Sequence, residues 1–321
     1  MLGLPLGLGI AFLLERLDRR IREPKDLESV YGLPLLGVVP ESSALSRSGR
    51  GAPKAGGALP SSEAEAFHLI RAHMRYFNVD RELRTLMVVS AAPGDGKTTI
   101  ARHLAAAAAK MGSRVLLLEA DLRRPTLAQQ LGIVAGRGLS DVLIGAVPLL
   151  EAIQTLALDS RSGESSKAHT LDVLPAGAAL PPNPGELIES HAMETLLERA
   201  KATYDLVVID TPPLTAVSDA FPLLKKVDGV VIVGRVGRNR RDVAERLHET
   251  LAGAGAPLLG VIANSFKAGR RGGYGYGYGY DYSPAKQPES PEPPAAEPSS
   301  GAPVSPDGAS AAEQPVPTAN G

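Results

Sequence analysis

The stretch Val88 to Thr99, VVSAAPGDGKTT, constrains this chain more than any other part of it. An apolar run that reads as a buried strand ends in a turn of Pro93, Gly94, Asp95 and Gly96. Lys97, Thr98 and Thr99 then open a helix. Small residues in such a turn let backbone N–H groups approach phosphate oxygens, and a helix N-terminus favours negative charge. Lys97 adds a point charge for the β- and γ-phosphates, and the Thr98 hydroxyl can ligate magnesium. The pattern asks for glycine at its first position, where Ala91 stands. Alanine is small, and the turn after it supplies the glycines. The segment therefore implies ATP with Mg2+.

The chain around this loop has the matching rhythm. Short apolar runs at 85–91, 114–120, 170–175, 205–210, 229–234 and 257–263 read as strands. They are continuous rather than alternating, as strands buried on both faces require. Helical stretches fit between them at 97–111, 184–203, 218–225 and 240–252. The expected fold is α/β: a doubly wound, mostly parallel sheet of the P-loop NTPase kind. A helix is also expected at 61–77, a short apolar strand-like piece at 31–40, and an exposed loop at 160–169.

Two acidic motifs follow strands. The run LVVIDTPP ends on Asp210; a carboxylate at that edge of such a sheet lies beside the phosphate loop and can hold the metal's water shell. The run VLLLEADLRRP carries Glu119, Asp121 and Arg123. Glu119 and Asp121 are two apart, so in an extended segment both face one way. Two carboxylates and a cation there suit metal binding and general-base work.

Outside this region, composition sets the limits. The 321 residues contain no cysteine, which excludes disulfides, thiol catalysis and zinc–thiolate sites. The net charge of −1 gives no sign of a nucleic-acid partner. Residues 1–14 are apolar, but at ~1.5 Å each they reach only ~21 Å against a ~30 Å hydrocarbon core. Arg16, Arg19, Arg20, Arg22 and Lys25 follow at once, as on the cytoplasmic side of a membrane helix. The segment reads as the end of a membrane helix whose start is missing, with an amphipathic or buried helix as the alternative; a helix leaving the membrane is expected at 16–22. The organisation is then residual membrane helix and juxtamembrane start at 1–20 and a cytoplasmic linker at 21–60. The nucleotide-binding domain occupies 61–270, and a Tyr-rich cluster with a disordered tail occupies 271–321.

Together these motifs resemble the bacterial tyrosine kinases. The family's second motif, Asp-x-Asp-x-Arg after an apolar run, stands here as Glu119-Ala120-Asp121-Leu122-Arg123. Its third, Asp-x-Pro, stands as Asp210-Thr211-Pro212. The related partition ATPases carry a signature lysine early in the loop, where this chain has Ala92. The stretches LPAGAALPPNPGEL, YDLVVIDTPPLTAVSDA and GVIAN also match, as does a C-terminal cluster of Tyr274, Tyr276, Tyr278, Tyr280 and Tyr282. The segment LGVVP before the kinase region is similar to the end of the polysaccharide co-polymerase membrane module.

The resemblance implies an ATP- and Mg2+-dependent tyrosine autokinase. It implies Lys97 and the turn on the phosphates, Thr98, Asp121 and Asp210 at the metal, and the first carboxylate of the second motif, Glu119, as the base for the tyrosine hydroxyl. Asn264 is implied as an adenine contact, and the five tail tyrosines as phosphoacceptors. It also implies a homo-oligomeric ring in which the tail is modified in trans, at the cytoplasmic face of the inner membrane beside polysaccharide export machinery. Two departures stand out. Glu119 replaces the family's first Asp and is one methylene longer. The self-association motif Glu-x-x-Arg-x-x-Arg reads Glu65-x-x-His68-x-x-Arg71, and His68 cannot form a bidentate ion pair. Two other readings stay open: a non-catalytic nucleotide switch for assembly of a polysaccharide machine, and a partition-type ATPase.

Overall fold

The computed structural model describes residues 19–46, 59–76, 82–158, 169–179 and 181–267. The expected membrane helix at 1–14, residues 47–58 of the linker, the loop expected at 160–169 apart from His169, which opens β5, and the tyrosine cluster lie outside these residues.

Eight strands form one sheet: β1 (Leu35–Pro40), β2 (Thr85–Ser90), β3 (Val115–Glu119), β4 (Gln154–Leu158), β5 (His169–Leu174), β6 (Leu206–Asp210), β7 (Gly229–Arg235) and β8 (Leu258–Phe266). Their order is β1-β8-β7-β2-β6-β3-β5-β4. Every pairing is parallel except β4 with β5. Strands β2 and β3 are buried along their whole length, so both faces of the sheet centre are covered. That is why these strands read as unbroken apolar runs. One face packs a core around Met87, Leu116, Ile209 and Ile232, and the other a core around Leu86, Leu117, Val208 and Val231.

The helices among the described residues are α1 (Pro24–Tyr31), α2 (Ser43–Ser46), α3 (Ser61–Tyr76), α4 (Lys97–Lys110), α5 (Leu127–Leu131), α6 (Leu139–Leu143), α7 (Leu149–Ala152), α8 (Pro184–Glu189), α9 (His191–Thr203) and α10 (Arg241–Gly253), with a 3₁₀ segment at Phe221–Lys225. The single helix expected at 184–203 is two. Ser190 is extended, its Oγ accepts from the Met193 N–H and donates to the Leu187 carbonyl, and so it caps α9.

Within the region assigned to a linker at 21–60, the strand-like piece expected at 31–40 is β1, and α1 over 24–31 was not expected. Strand β1 pairs in parallel with β8 and extends the sheet. Gly37 is what lets α3 cover it, because a Cβ at Gly37 would sit 2.5 Å from Ile70 Cγ1. The helix expected at 16–22 is absent over 19–22, where Arg20 bridges Arg240 in extended pairing. Residues 16–18 lie outside the described set. No helix of the described residues is long and apolar enough to cross a membrane.

Candidate active site

The C-terminal ends of the parallel strands open into a cavity of about 1030 Å³. In doubly wound sheets this is where ligands bind. Strand β2 feeds the phosphate loop into its floor, and Pro93, Gly94, Gly96, Lys97, Thr98 and Thr99 line it. From the β8–β1 side come Pro40, Leu45, Asn264 and Ser265. From the β3–β6 side come Asp121, Arg123, Arg124 and a rim of prolines that includes Pro182 and Pro213.

The loop is fixed from below. Asp95 is buried, and its carboxylate accepts the Ala92 N–H and the Asn239 amide, each at 2.8 Å. Burial raises the Asp95 pKa, and these two hydrogen bonds together with Lys97 oppose the rise. Asp95 is thus a brace for the turn rather than a surface for the ligand. The Thr215 hydroxyl donates to the Ala91 carbonyl, and Arg235 Nη1 donates to the Gly94 carbonyl at 3.1 Å. Gly96 adopts φ +96, a left-handed conformation that suits glycine alone, and a Cβ there would meet Asn264 Nδ2 at 2.1 Å.

That contact revises Asn264. Its Nδ2 donates to the Asp95 carbonyl at 2.7 Å, and its Oδ1 accepts the Ser265 N–H at 2.8 Å. The side chain shapes the loop, although it also borders the cavity, and its expected role as an adenine contact does not follow from this geometry.

Lys97 is only 7% exposed, and burial lowers its pKa against the opposing charges of Asp210, Asp121 and Asp95. The Thr98 hydroxyl donates to Asp210 Oδ2 at 2.7 Å. Asp210 Oδ1 is buried with no partner, and burial pushes the Asp210 pKa up to about 7. An unsatisfied buried carboxylate oxygen beside a threonine hydroxyl and a lysine fits Mg2+ brought in with phosphates, which is typically held by one or two carboxylates plus substrate oxygens. No group of three or more His, Asp or Glu that could hold a metal unaided occurs among the described residues.

The second motif divides. Asp121 lines the cavity, and its Oδ1 accepts the Arg124 N–H at 3.0 Å. Glu119, expected as the base, is 1% exposed and lies outside the cavity lining. Its Oε1 accepts the N–H groups of Thr126 and Leu127, each at 2.7 Å, and its Oε2 accepts the Ala176 N–H at 3.1 Å. Burial raises its pKa, opposed by those three bonds. The longer side chain reaches backbone donors and ties the end of β3 to α5 and to the segment after β5. In this geometry Glu119 is an anchor, and its expected role as the base does not follow from it. Strand β3 ends at Glu119, so the extended geometry that was to aim both carboxylates one way does not reach Asp121.

Arg123 also lines the cavity and is gripped by Asp219, a residue that motif reading passed over. Glu65, His68 and Arg71, the residues of the expected self-association motif, all lie on α3. Tyr274, Tyr276, Tyr278, Tyr280 and Tyr282 lie outside the described residues.

Comparison with known proteins gives a consistent set of neighbours. A family model described as an AAA domain matches residues 83–238. The tyrosine-protein kinase YwqD of Bacillus subtilis is 39% identical over 214 residues, covering 67% of this chain and 86% of YwqD. The tyrosine-protein kinase Etk of Escherichia coli is 31% identical over 281 residues, covering 82% of this chain; the chain spans 37% of Etk's length. The solved kinase domain of Etk superposes with a TM-score of 0.68 at 31% identity, over 80% of this chain and 100% of that domain. The solved chimeric protein CapA2B2 superposes with a TM-score of 0.65 at 34% identity, over 77% of this chain and 100% of that one.

Proposed function

The chain belongs to the bacterial tyrosine-protein kinases, and from that premise we propose that it transfers the γ-phosphoryl group of Mg2+-bound ATP, in trans, to the C-terminal tyrosines of another copy of itself. The observation that carries this reading is one cavity furnished for both halves of the transfer. Lys97, Thr98 and the turn stand on the donor side, with Asp210 bonded to Thr98. Asp121 and Arg123 stand beside a proline rim on the other.

Free tyrosine is a poor nucleophile because its pKa is near 10. A carboxylate beside the hydroxyl helps remove the proton as transfer proceeds, and among the second-motif carboxylates Asp121 is the one that reaches the cavity. Asp121 therefore takes the base role, and Glu119 holds the segment that presents it. Bound Mg2+ would neutralise charge on the phosphates; Thr98 and Asp210, with Asp121 nearby, are the residues to hold it.

The tail GGYGYGYGYDY offers successive hydroxyls on a glycine-rich chain. Each phosphate adds about −1.5 to −2 charge, so five add roughly −8 to −10. Such a charge would repel neighbouring tails and favour separated chains over a ring. The similarity of the N-terminal region to a polysaccharide co-polymerase module supports a site of action at the cytoplasmic face of the inner membrane, as a regulator of exopolysaccharide or capsule export.

The test is incubation of the full chain with γ-labelled ATP and Mg2+. Label is expected on tyrosine, is abolished in Lys97→Met and is largely lost when the five tail tyrosines are Phe. ATP binding without label, even with the membrane module's cytoplasmic segment supplied, would favour the nucleotide switch instead.

A further inference from the structure

Asp219 lies outside all three motifs, just before the 3₁₀ segment Phe221–Lys225. It is 7% exposed, and both of its oxygens go to one partner. Arg123 Nε donates to Oδ2 at 2.5 Å and Arg123 Nη2 donates to Oδ1 at 3.0 Å. This fork-on-fork geometry occupies one edge of a planar guanidinium and fixes its orientation. A third wall is set by Gly185, where a Cβ would come within 3.2 Å of Asp219 Oδ1. The other end of the guanidinium, Nη1, makes no hydrogen bond among the described residues. Arg123 remains 49% exposed on the lining shared with Lys97, Thr98 and Asp121. An arginine that is half-open to the cavity yet held on one edge by a buried carboxylate is a cation prepared to bind a second anion.

We propose that Asp219 is a positioning residue for phosphoryl transfer, holding Arg123 so that its free Nη1 edge meets the phosphoryl group as it moves. This rests on the kinase reading above. In the step concerned, the bond from the γ-phosphorus to the β,γ-bridging oxygen breaks and a bond from the tyrosine oxygen to that phosphorus forms. The tyrosine proton passes to Asp121, and ADP departs with the bridging oxygen. Charge spreads over the three equatorial phosphoryl oxygens during the step, and a fixed guanidinium stabilises it without reorganising. The bland alternative is that the pair only staples the 121–126 loop to the segment before Phe221. A staple would change melting and ATP binding, and the effects of its two ends would reach activity only through those.

The deciding experiment is a double-mutant cycle in the full chain, read as kcat and the KM for ATP with a tyrosine peptide, below the melting midpoint of every variant. Asp219→Asn and Arg123→Ala are each expected to lower kcat about 100-fold, the scale for removing one preorganised charge donor. The KM for ATP should move less than about threefold, since the contact is made in transit. The double variant should be no slower than Arg123→Ala alone, because Asp219 acts only through Arg123. Added guanidinium should restore part of the activity of Arg123→Ala and none of that of the double variant. If Asp219→Asn does not fold, Asp219→Ser takes its place in the same cycle. Multiplied losses in the double variant, or an undiminished kcat in Asp219→Asn, overturn the proposal. The same cycle read on ATP hydrolysis separates the two claims: absence of phosphotyrosine from the wild type defeats the kinase reading, and the role of Asp219 then stands or falls on the hydrolysis cycle.

Discussion

Thr98 and Asp210 are joined by a 2.7 Å hydrogen bond that consumes one oxygen of the carboxylate and leaves the other buried and unpaired. Burial holds the Asp210 pKa at about 7, above the ordinary 3.8. The ionised form is the one that can serve a metal's shell. Affinity for Mg2+–ATP should therefore rise with pH through about 7, with proton release on binding, and Asp210→Asn should bind weakly with a flat profile. Calorimetry in buffers of different ionisation enthalpy reads the released proton. The sign for the ligand-free fold is opposite: a raised native pKa means the folded state holds the extra proton between about pH 4 and 7. Stability from this group is present below that window and is lost as pH rises through it, on the order of a few kcal/mol.

Glu119 and Asp121 should separate by phenotype. Glu119→Gln turns an amide N–H toward backbone donors and leaves at least one of three buried N–H groups unmatched, a loss of about 1–3 kcal/mol. Its melting midpoint should fall while kcat, measured well below that midpoint, stays within about tenfold of wild type. Asp121→Asn should melt normally and lose at least about 100-fold in kcat. Thermal melts paired with peptide phosphorylation distinguish the two; a normal melt with lost activity in Glu119→Gln would return the base role to Glu119.

Gly96→Ala should weaken nucleotide binding by more than tenfold. It combines a left-handed backbone with a Cβ that meets Asn264 at 2.1 Å. Asn264→Ala removes the clash but also the bond to the Asp95 carbonyl, so adding it to Gly96→Ala should recover only part of the affinity. A fluorescent ATP analogue measures both.

The pairing of β1 with β8 makes residues 35–40 structural. Gly37→Val should push α3 off the sheet and cost about 1–3 kcal/mol, seen as a lower denaturation midpoint. Removal of residues 1–40 should cost more, because it bares the β8 edge, the apolar surface that α1 covers and the face of α3 that packs on β1, and should promote association in scattering measurements.

The phosphate loop and the central strands were legible because their signals are local: a fixed spacing of glycines and lysine, and apolar runs buried on both faces. Strand β4 was missed because, at an edge, its burial alternates and its pattern is faint. The strand-like piece expected at 31–40 is β1, but its place in the sheet was not legible because its partner lies more than 200 positions away at Leu258–Phe266; α1 was missed because it is only eight residues long. The fate of Glu119 depended on where β3 stops and on amides from Thr126 and Ala176, which spacing alone does not place. Asn239 on Asp95 and Asp219 on Arg123 pair across 144 and 96 positions, and only the folded sheet brings them together. The signal that could have flagged Asp219 was its position inside YDLVVIDTPPLTAVSDA, as a third acidic residue after Asp205 and Asp210.

The central claim is transfer from ATP in one chain to the tail tyrosines of another. The most direct measurement mixes a chain with intact Lys97 but Phe at Tyr274, Tyr276, Tyr278, Tyr280 and Tyr282 with a Lys97→Met chain that keeps those tyrosines, adds ATP and Mg2+, and maps phosphotyrosine on the second chain by mass spectrometry. The account predicts phosphate on that cluster. An unmodified cluster, with the first chain binding ATP normally, would contradict it.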